Sequence, residues 1–135
     1  MTMVLVDTSL WAGHFRRANP VRQTLLETGQ VLCHPLIVLE LAFGAPPALR
    51  ERTLGDLKVL RQAVAATPEE TLALLAKEQL YDSDCGAVDV ALLASVKLTP
   101  ASLLWTADNG LRVLSARLGV ACIPAHAGKS RRRPQ

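Results

Sequence analysis

Four acidic residues of this chain sit where acids are costly. Asp7 closes the apolar run Met3-Val4-Leu5-Val6. Glu40 is the only charge in Leu36-Ile37-Val38-Leu39-Glu40-Leu41-Ala42-Phe43. Asp89 lies inside Gly86-Ala87-Val88-Asp89-Val90-Ala91-Leu92-Leu93, and Asp108 follows Leu103-Leu104-Trp105-Thr106. A carboxylate in apolar surroundings is unfavourable unless it is hydrogen-bonded or paired with a cation. No Lys or Arg lies within four residues of Asp7, Glu40 or Asp89; Asp108 has Arg112 one helical turn later. The remaining acids, such as Glu69, Glu70, Asp82 and Asp84, read as solvated or helix-capping. Asp7 and Asp108 could equally cap the helices that follow them, and Asp89 could serve a helix N-terminus. Glu40, in the middle of an apolar helix, has no such reading. Gathered together, the four would repel one another unless a divalent cation neutralised them. An all-carboxylate site suits a hard ion, Mg²⁺ or Mn²⁺. Such sites activate water and support phosphoryl displacement.

The elements that must hold these acids alternate. Met3–Val6 reads as a buried strand, with Asp7-Thr8-Ser9 starting a helix over Leu10–Arg17. Val21–Thr28 reads as a helix stopped by Gly29, Val31–Cys33 as a second strand, and Pro35–Phe43 as a helix ended by Gly44. Ala48–Ala63 reads as one charged, amphipathic helix. Thr67-Pro68-Glu69-Glu70 opens another that runs to about Tyr81. Ala87–Lys97 is an apolar helix, Leu103–Thr106 a strand, Asn109–Leu118 a helix, and Val120–Ile123 a last short strand. Strand–helix alternation implies an α/β fold with a central parallel sheet of about four to five short strands, flanked by helices. Ligands of such sheets bind at the carboxyl ends of the strands, where Asp7 and Asp108 fall.

Composition narrows the classes. The 135 residues are 50% hydrophobic and 20% charged, enough apolar surface for one packed core and unlike a disordered chain. Aromatics, at 4%, are too few for a nucleic-acid surface built on stacking. No run is long and apolar enough to span a membrane, and no secretory signal is apparent. Cys33, Cys85 and Cys122 form no C-x-x-C pair and read as inert thiols in or near the core of a cytoplasmic protein. His34, before Pro35, reads as a capping or packing residue. The net charge is +3, but removing Lys129, Arg131, Arg132 and Arg133 leaves 11 basic against 12 acidic residues. The basic character therefore belongs to the C-terminal tail.

Four segments, Val6-Asp7-Thr8-Ser9-Leu10-Trp11, His34–Gly44, Gly86–Ser95 and Leu104-Trp105-Thr106-Ala107-Asp108, resemble in order and spacing the PIN-domain ribonucleases. Within them the resemblance is to VapC-type toxins of type II toxin–antitoxin pairs, and it runs from Met3 to Pro124. It implies a PIN-like fold over residues 1–124; the small, basic and proline residues of 125–135 read as a flexible tail outside it. It implies that Asp7, Glu40, Asp89 and Asp108 hold Mg²⁺ or Mn²⁺, and that Thr8, Ser9 and Thr106 support them by hydrogen bonding. The expected activity is metal-dependent endoribonuclease cleavage of RNA. The expected partners are a VapB-type antitoxin and a second copy of the chain. The family often carries basic residues where this chain has Ala107 and Asn109, which removes a local phosphate contact. Arg16-Arg17, Arg22 and the set Arg50, Arg52, Lys58 and Arg61 are other candidates for RNA binding. Competing readings are a silent PIN-like binding module or another Mg²⁺-dependent phosphodiesterase. The complete acid set argues against the first. Against a phosphatase stands Asp7-Thr8-Ser9, in place of the Asp-x-Asp such an enzyme needs.

Overall fold

A computed structural model describes residues 1–16, 19–43 and 50–122, with residues 14–16 described by backbone alone. The tail at 125–135 and the pair Arg16-Arg17, as side chains, lie outside the described residues. The strands are β1 (Met3–Val6), β2 (Val31–Cys33), β3 (Arg61–Gln62) and β4 (Ser102–Trp105). The helices are α1 (Thr8–Arg16), α2 (Pro20–Glu27), α3 (Pro35–Phe43), α4 (Arg50–Lys58), α5 (Pro68–Glu78), α6 (Ala87–Leu98) and α7 (Asn109–Arg117). All pairings are parallel, in the order β3-β2-β1-β4. The α/β architecture expected from the sequence is therefore present.

β1 is the central strand and every one of its residues is buried. It pairs with β2 on one side and β4 on the other. The chain leaves β1 towards β2 and β3, then returns to the opposite side as β4. That reversal makes the β1/β4 boundary a topological switch point, where the loops diverge and open a crevice. The core is aliphatic: Leu5, Leu32, Ile37, Leu92, Leu93 and Leu104 are almost wholly buried between sheet and helices.

Three elements differ from the sequence expectation. The helix expected over Ala48–Ala63 ends at Lys58, and Arg61–Gln62 forms β3 instead. Ala63 N donates to Cys33 O at 2.9 Å, continuing the ladder on the free edge of β2. Both β3 residues are exposed, so no hydrophobic alternation marks them, and pairing with a distant strand overrides the local helical pattern. The strand expected over Val120–Ile123 is reduced to a single bridge between Ala121 and Leu104, and Ile123 lies outside the described residues. α5 ends three residues before Tyr81, with Gln79 in the left-handed region at φ 55°.

Candidate metal centre

The register of the sheet sets the first contact of the site. Val6 pairs with Trp105, and Asp7 N donates to Trp105 O at 2.9 Å. The next residue on each strand is then Asp7 and Thr106, side by side although 99 residues apart. Thr106 Oγ1 donates to Asp7 Oδ2 at 2.7 Å, and Ser9 Oγ donates to the same oxygen at 3.1 Å. Each hydroxyl also accepts a backbone N–H from the turn between β4 and α7. Thr106 Oγ1 accepts from Asp108 N at 3.0 Å, and Ser9 Oγ accepts from Ala107 N at 3.1 Å. Asp7 is only 5% exposed, yet both donors converge on one oxygen and leave Oδ1 without a protein donor among the described residues. The Asp7 side chain does not cap α1. It is oriented by hydroxyls, which distinguishes it from an ordinary N-cap.

Glu40 lies in the second turn of α3, which packs against α1. Thr8 Oγ1 donates to Glu40 Oε1 at 2.6 Å, so the first residue of α1 orients an acid from a different element. Asp89 is in the first turn of α6, half-buried, with Gly86 N donating weakly to Oδ2 at 3.4 Å. Burial raises its pKa above the ordinary carboxylate value. The Gly86 hydrogen bond opposes that rise, and the fields of Asp7, Asp108 and Glu40 add to it. Asp108 is exposed and does cap a helix: Leu111 N donates to its Oδ2 at 2.8 Å. Arg112 turns away to Asn109 Oδ1, so the local ion pair offered by the sequence is not used.

Asp7, Thr8, Ser9, Glu40, Asp89 and Asp108 line one open cleft of about 530 Å³ at the carboxyl ends of β1 and β4, with Phe43 at its rim. Four carboxylates from four elements thus face the same space. The donor set is all oxygen, and among the described lining residues no cation offsets its formal charge. It fits a hard divalent cation such as Mg²⁺ or Mn²⁺.

Two features were not visible in the sequence. Cys85, read there as an inert thiol in or near the core, packs partly buried against the core and also lies beside Asp89 and Asp108. Arg22, a candidate RNA contact, is buried at 3% exposure and stacks 5.8 Å from the centroid of the Trp105 ring, so it cannot reach a polyanion in solution. The spacing of a single arginine on α2 holds no signal of that.

Comparisons with known proteins identify the family and the fold. The model of the PIN domain matches residues 4–116. The chain belongs to the PIN-domain family. It is 40% identical over 119 residues to the proteins named Ribonuclease VapC32 in two strains of Mycobacterium tuberculosis, CDC 1551 / Oshkosh and H37Rv, covering 88% of this chain and 95% of each relative. Among solved structures it is similar in fold to a chain of the DNA-bound VapBC complex of Salmonella typhimurium. The TM-score is 0.60 at 18% identity, over 90% of this chain and 96% of that one.

Proposed function

We propose that the protein is the toxin of a type II toxin–antitoxin pair, an endoribonuclease that cleaves RNA phosphodiesters with Mg²⁺ or Mn²⁺. The observation that carries this reading is the convergence of Asp7, Glu40, Asp89 and Asp108 on one cleft at the switch point of the sheet. Asp7, Glu40, Asp89 and Asp108 would hold the ion. When bound, it supplies a water of lowered pKa and offsets charge on the phosphoryl oxygens.

The chain's own groups prepare that chemistry. Ser9 and Thr106 fix the Asp7 carboxylate through Oδ2 and leave Oδ1 for the cation. Thr8 does the same for Glu40. Asp108, tied to α7 by its cap, presents a carboxylate whose position follows the helix. The open cleft admits a polymer strand. Arg50, Arg52 and Lys58 are exposed on α4, and the Arg50 guanidinium donates to Ala42 O near the rim residue Phe43. These cations would meet RNA phosphates on their way to the acids.

The proposed partners are a small VapB-type antitoxin and a second copy of the chain, and the proposed location is the cytoplasm. No helix among the described residues is long and apolar enough to cross a membrane. An apolar groove of about 880 Å³ between α5 and α6, with Leu72 and Tyr81 exposed beside it, supports the second-copy reading. Co-expression with any short reading frame found next to its own, followed by mass measurement of toxin and complex, tests both partners. A monomer that co-purifies with nothing would defeat this part.

The activity is tested by RNA cleavage with added Mg²⁺ or Mn²⁺. Wild type should cut and lose activity in EDTA. Asp7→Asn should lose about 10²-fold or more, the scale of losing an electrostatic element of a hydrolytic site. Equal cleavage in all conditions would sink the proposal.

A further inference from the structure

A half-buried sulfur, packed against the core and the apolar groove, lies close to two of the cleft's carboxylates. Cys85 Sγ and one carboxylate oxygen each from Asp89 and Asp108 lie within 4.8 Å of one another. The three come from separately anchored positions. Cys85 is in the loop before α6, Asp89 is in the first turn of α6, and Asp108 is the N-cap of α7. Two donors are hard oxygens and the third is soft. A Mg²⁺ site gains nothing from a thiol, because that ion selects oxygen ligands. Zn²⁺ and Cd²⁺ accept thiolate and carboxylate together, commonly with three protein ligands and one open position. Burial, then the fields of Asp89, Asp108 and Asp84, push the Cys85 thiol up to about 11, so the free protein carries S–H there and not a reactive thiolate. The other two cysteines stand apart from this set: Cys33 is fully buried on β2, and Cys122 lies beyond the bridge to β4.

We propose that Cys85, Asp89 and Asp108 form a binding site for a thiophilic divalent cation of the Zn²⁺ class, and that its occupancy inhibits the nuclease by engaging two of the four carboxylates. The inhibitory half rests on the metal-dependent reading of the cleft; the binding half does not. On binding, the Cys85 S–H bond breaks, its proton passes to solvent, and a sulfur–metal bond forms with no change of oxidation state. The site makes this chain sensitive to the ratio of soft to hard cations.

The test uses the full chain, freed of metal, with Cd²⁺ as probe. Wild type should show the ultraviolet thiolate-to-cadmium charge-transfer band, saturating at one ion per chain. Cys85→Ser, checked for folding by circular dichroism, should lose the band, and Cys122→Ser should keep it. Asp108→Asn should need more Cd²⁺ to saturate. In cleavage assays supported by Mn²⁺, inhibition by Zn²⁺ should weaken by roughly tenfold or more in Cys85→Ser, measured against that variant's own uninhibited rate. A missing band in wild type, a band that persists in Cys85→Ser, or equal Zn²⁺ inhibition of both proteins overturns the proposal. If wild type shows the band but cleaves with no hard cation, the nuclease reading and the inhibitory half fall together, and the binding half stands.

Discussion

Thr106 is the residue on which the geometry of the cleft turns. Its hydroxyl donates to Asp7 and accepts from Asp108 N, so one side chain aligns two acids of the set. Thr106→Val keeps the shape and removes both bonds. It should lower cleavage, or raise the Mn²⁺ concentration needed for half-maximal rate, by about 10–100-fold, the usual effect of losing a group that orients a metal ligand. A Mn²⁺ titration of activity checks this. Asp89 makes the complementary case. Burial and three neighbouring carboxylates raise its pKa, so its charged form is held at a cost in the folded protein. That cost begins as pH rises past the ordinary carboxylate value and persists at higher pH. Asp89→Asn should therefore raise the melting temperature in EDTA while abolishing cleavage, as expected where function opposes stability. Thermal denaturation at pH 7.5 with EDTA reads the sign, and a fall would contradict it.

At the scale of elements, the junction of β2 and α3 is held by a buried histidine. His34 Nδ1 accepts from Leu36 N at 3.0 Å, and Nε2 lies 2.9 Å from Ser95 Oγ on α6. Ser95 donates its own proton to Ala91 O at 2.7 Å and accepts from Ala66 N at 3.0 Å. Only a neutral His34 with its proton on Nε2 satisfies every partner. Burial lowers its pKa from the ordinary value. The unfolded chain thus takes up a proton, near pH 6.5, that the folded chain refuses. The stabilisation is full above that pH and is lost as pH falls from about 6.5 towards the lower folded pKa. Denaturant midpoints should fall between about pH 7.5 and 5.5, and the fall should shrink in His34→Gln. That variant keeps a donor for Ser95 but orphans Leu36 N, at a cost of about 1–3 kcal/mol at neutral pH. The sequence reading of His34 as capping or packing holds; its bond to Ser95, across 61 residues, had no local signal.

For the whole molecule, charge is distributed against its net sign. The chain is +3, yet its cleft gathers carboxylates and its exposed cations include Arg50, Arg52 and Lys58 on α4. RNA binding then depends on local phosphate contacts and on salt, not on net charge. Arg52→Ala with Lys58→Ala should weaken binding of an uncleavable RNA analogue. The salt slope should fall by about 0.7 for each phosphate no longer neutralised, the single-strand value. A slope identical to wild type would place the RNA elsewhere. Arg22 must be left out of such a set, since it is buried over Trp105.

The line between what sequence decided and what the tertiary structure decided follows the range of the interactions. Asp7, Glu40, Asp89 and Asp108 were legible as a set because the cost of an acid among aliphatic residues is a local property, readable within a few positions. So were β1, β2, α3 and the Thr67 cap of α5, whose side chain accepts from Glu70 N at 3.1 Å. Long-range contacts were not legible. β3 exists only because β2 offers an open edge, and Arg22 meets Trp105 only because β4 brings that ring to it. Cys85 meets Asp108 only because α6 and α7 start side by side. The sequence by itself set which groups could do chemistry. The parallel register of β1 and β4 decided that Asp7 and Thr106 stand together, because hydrogen-bonded pairing places residues with no regard for their separation along the chain.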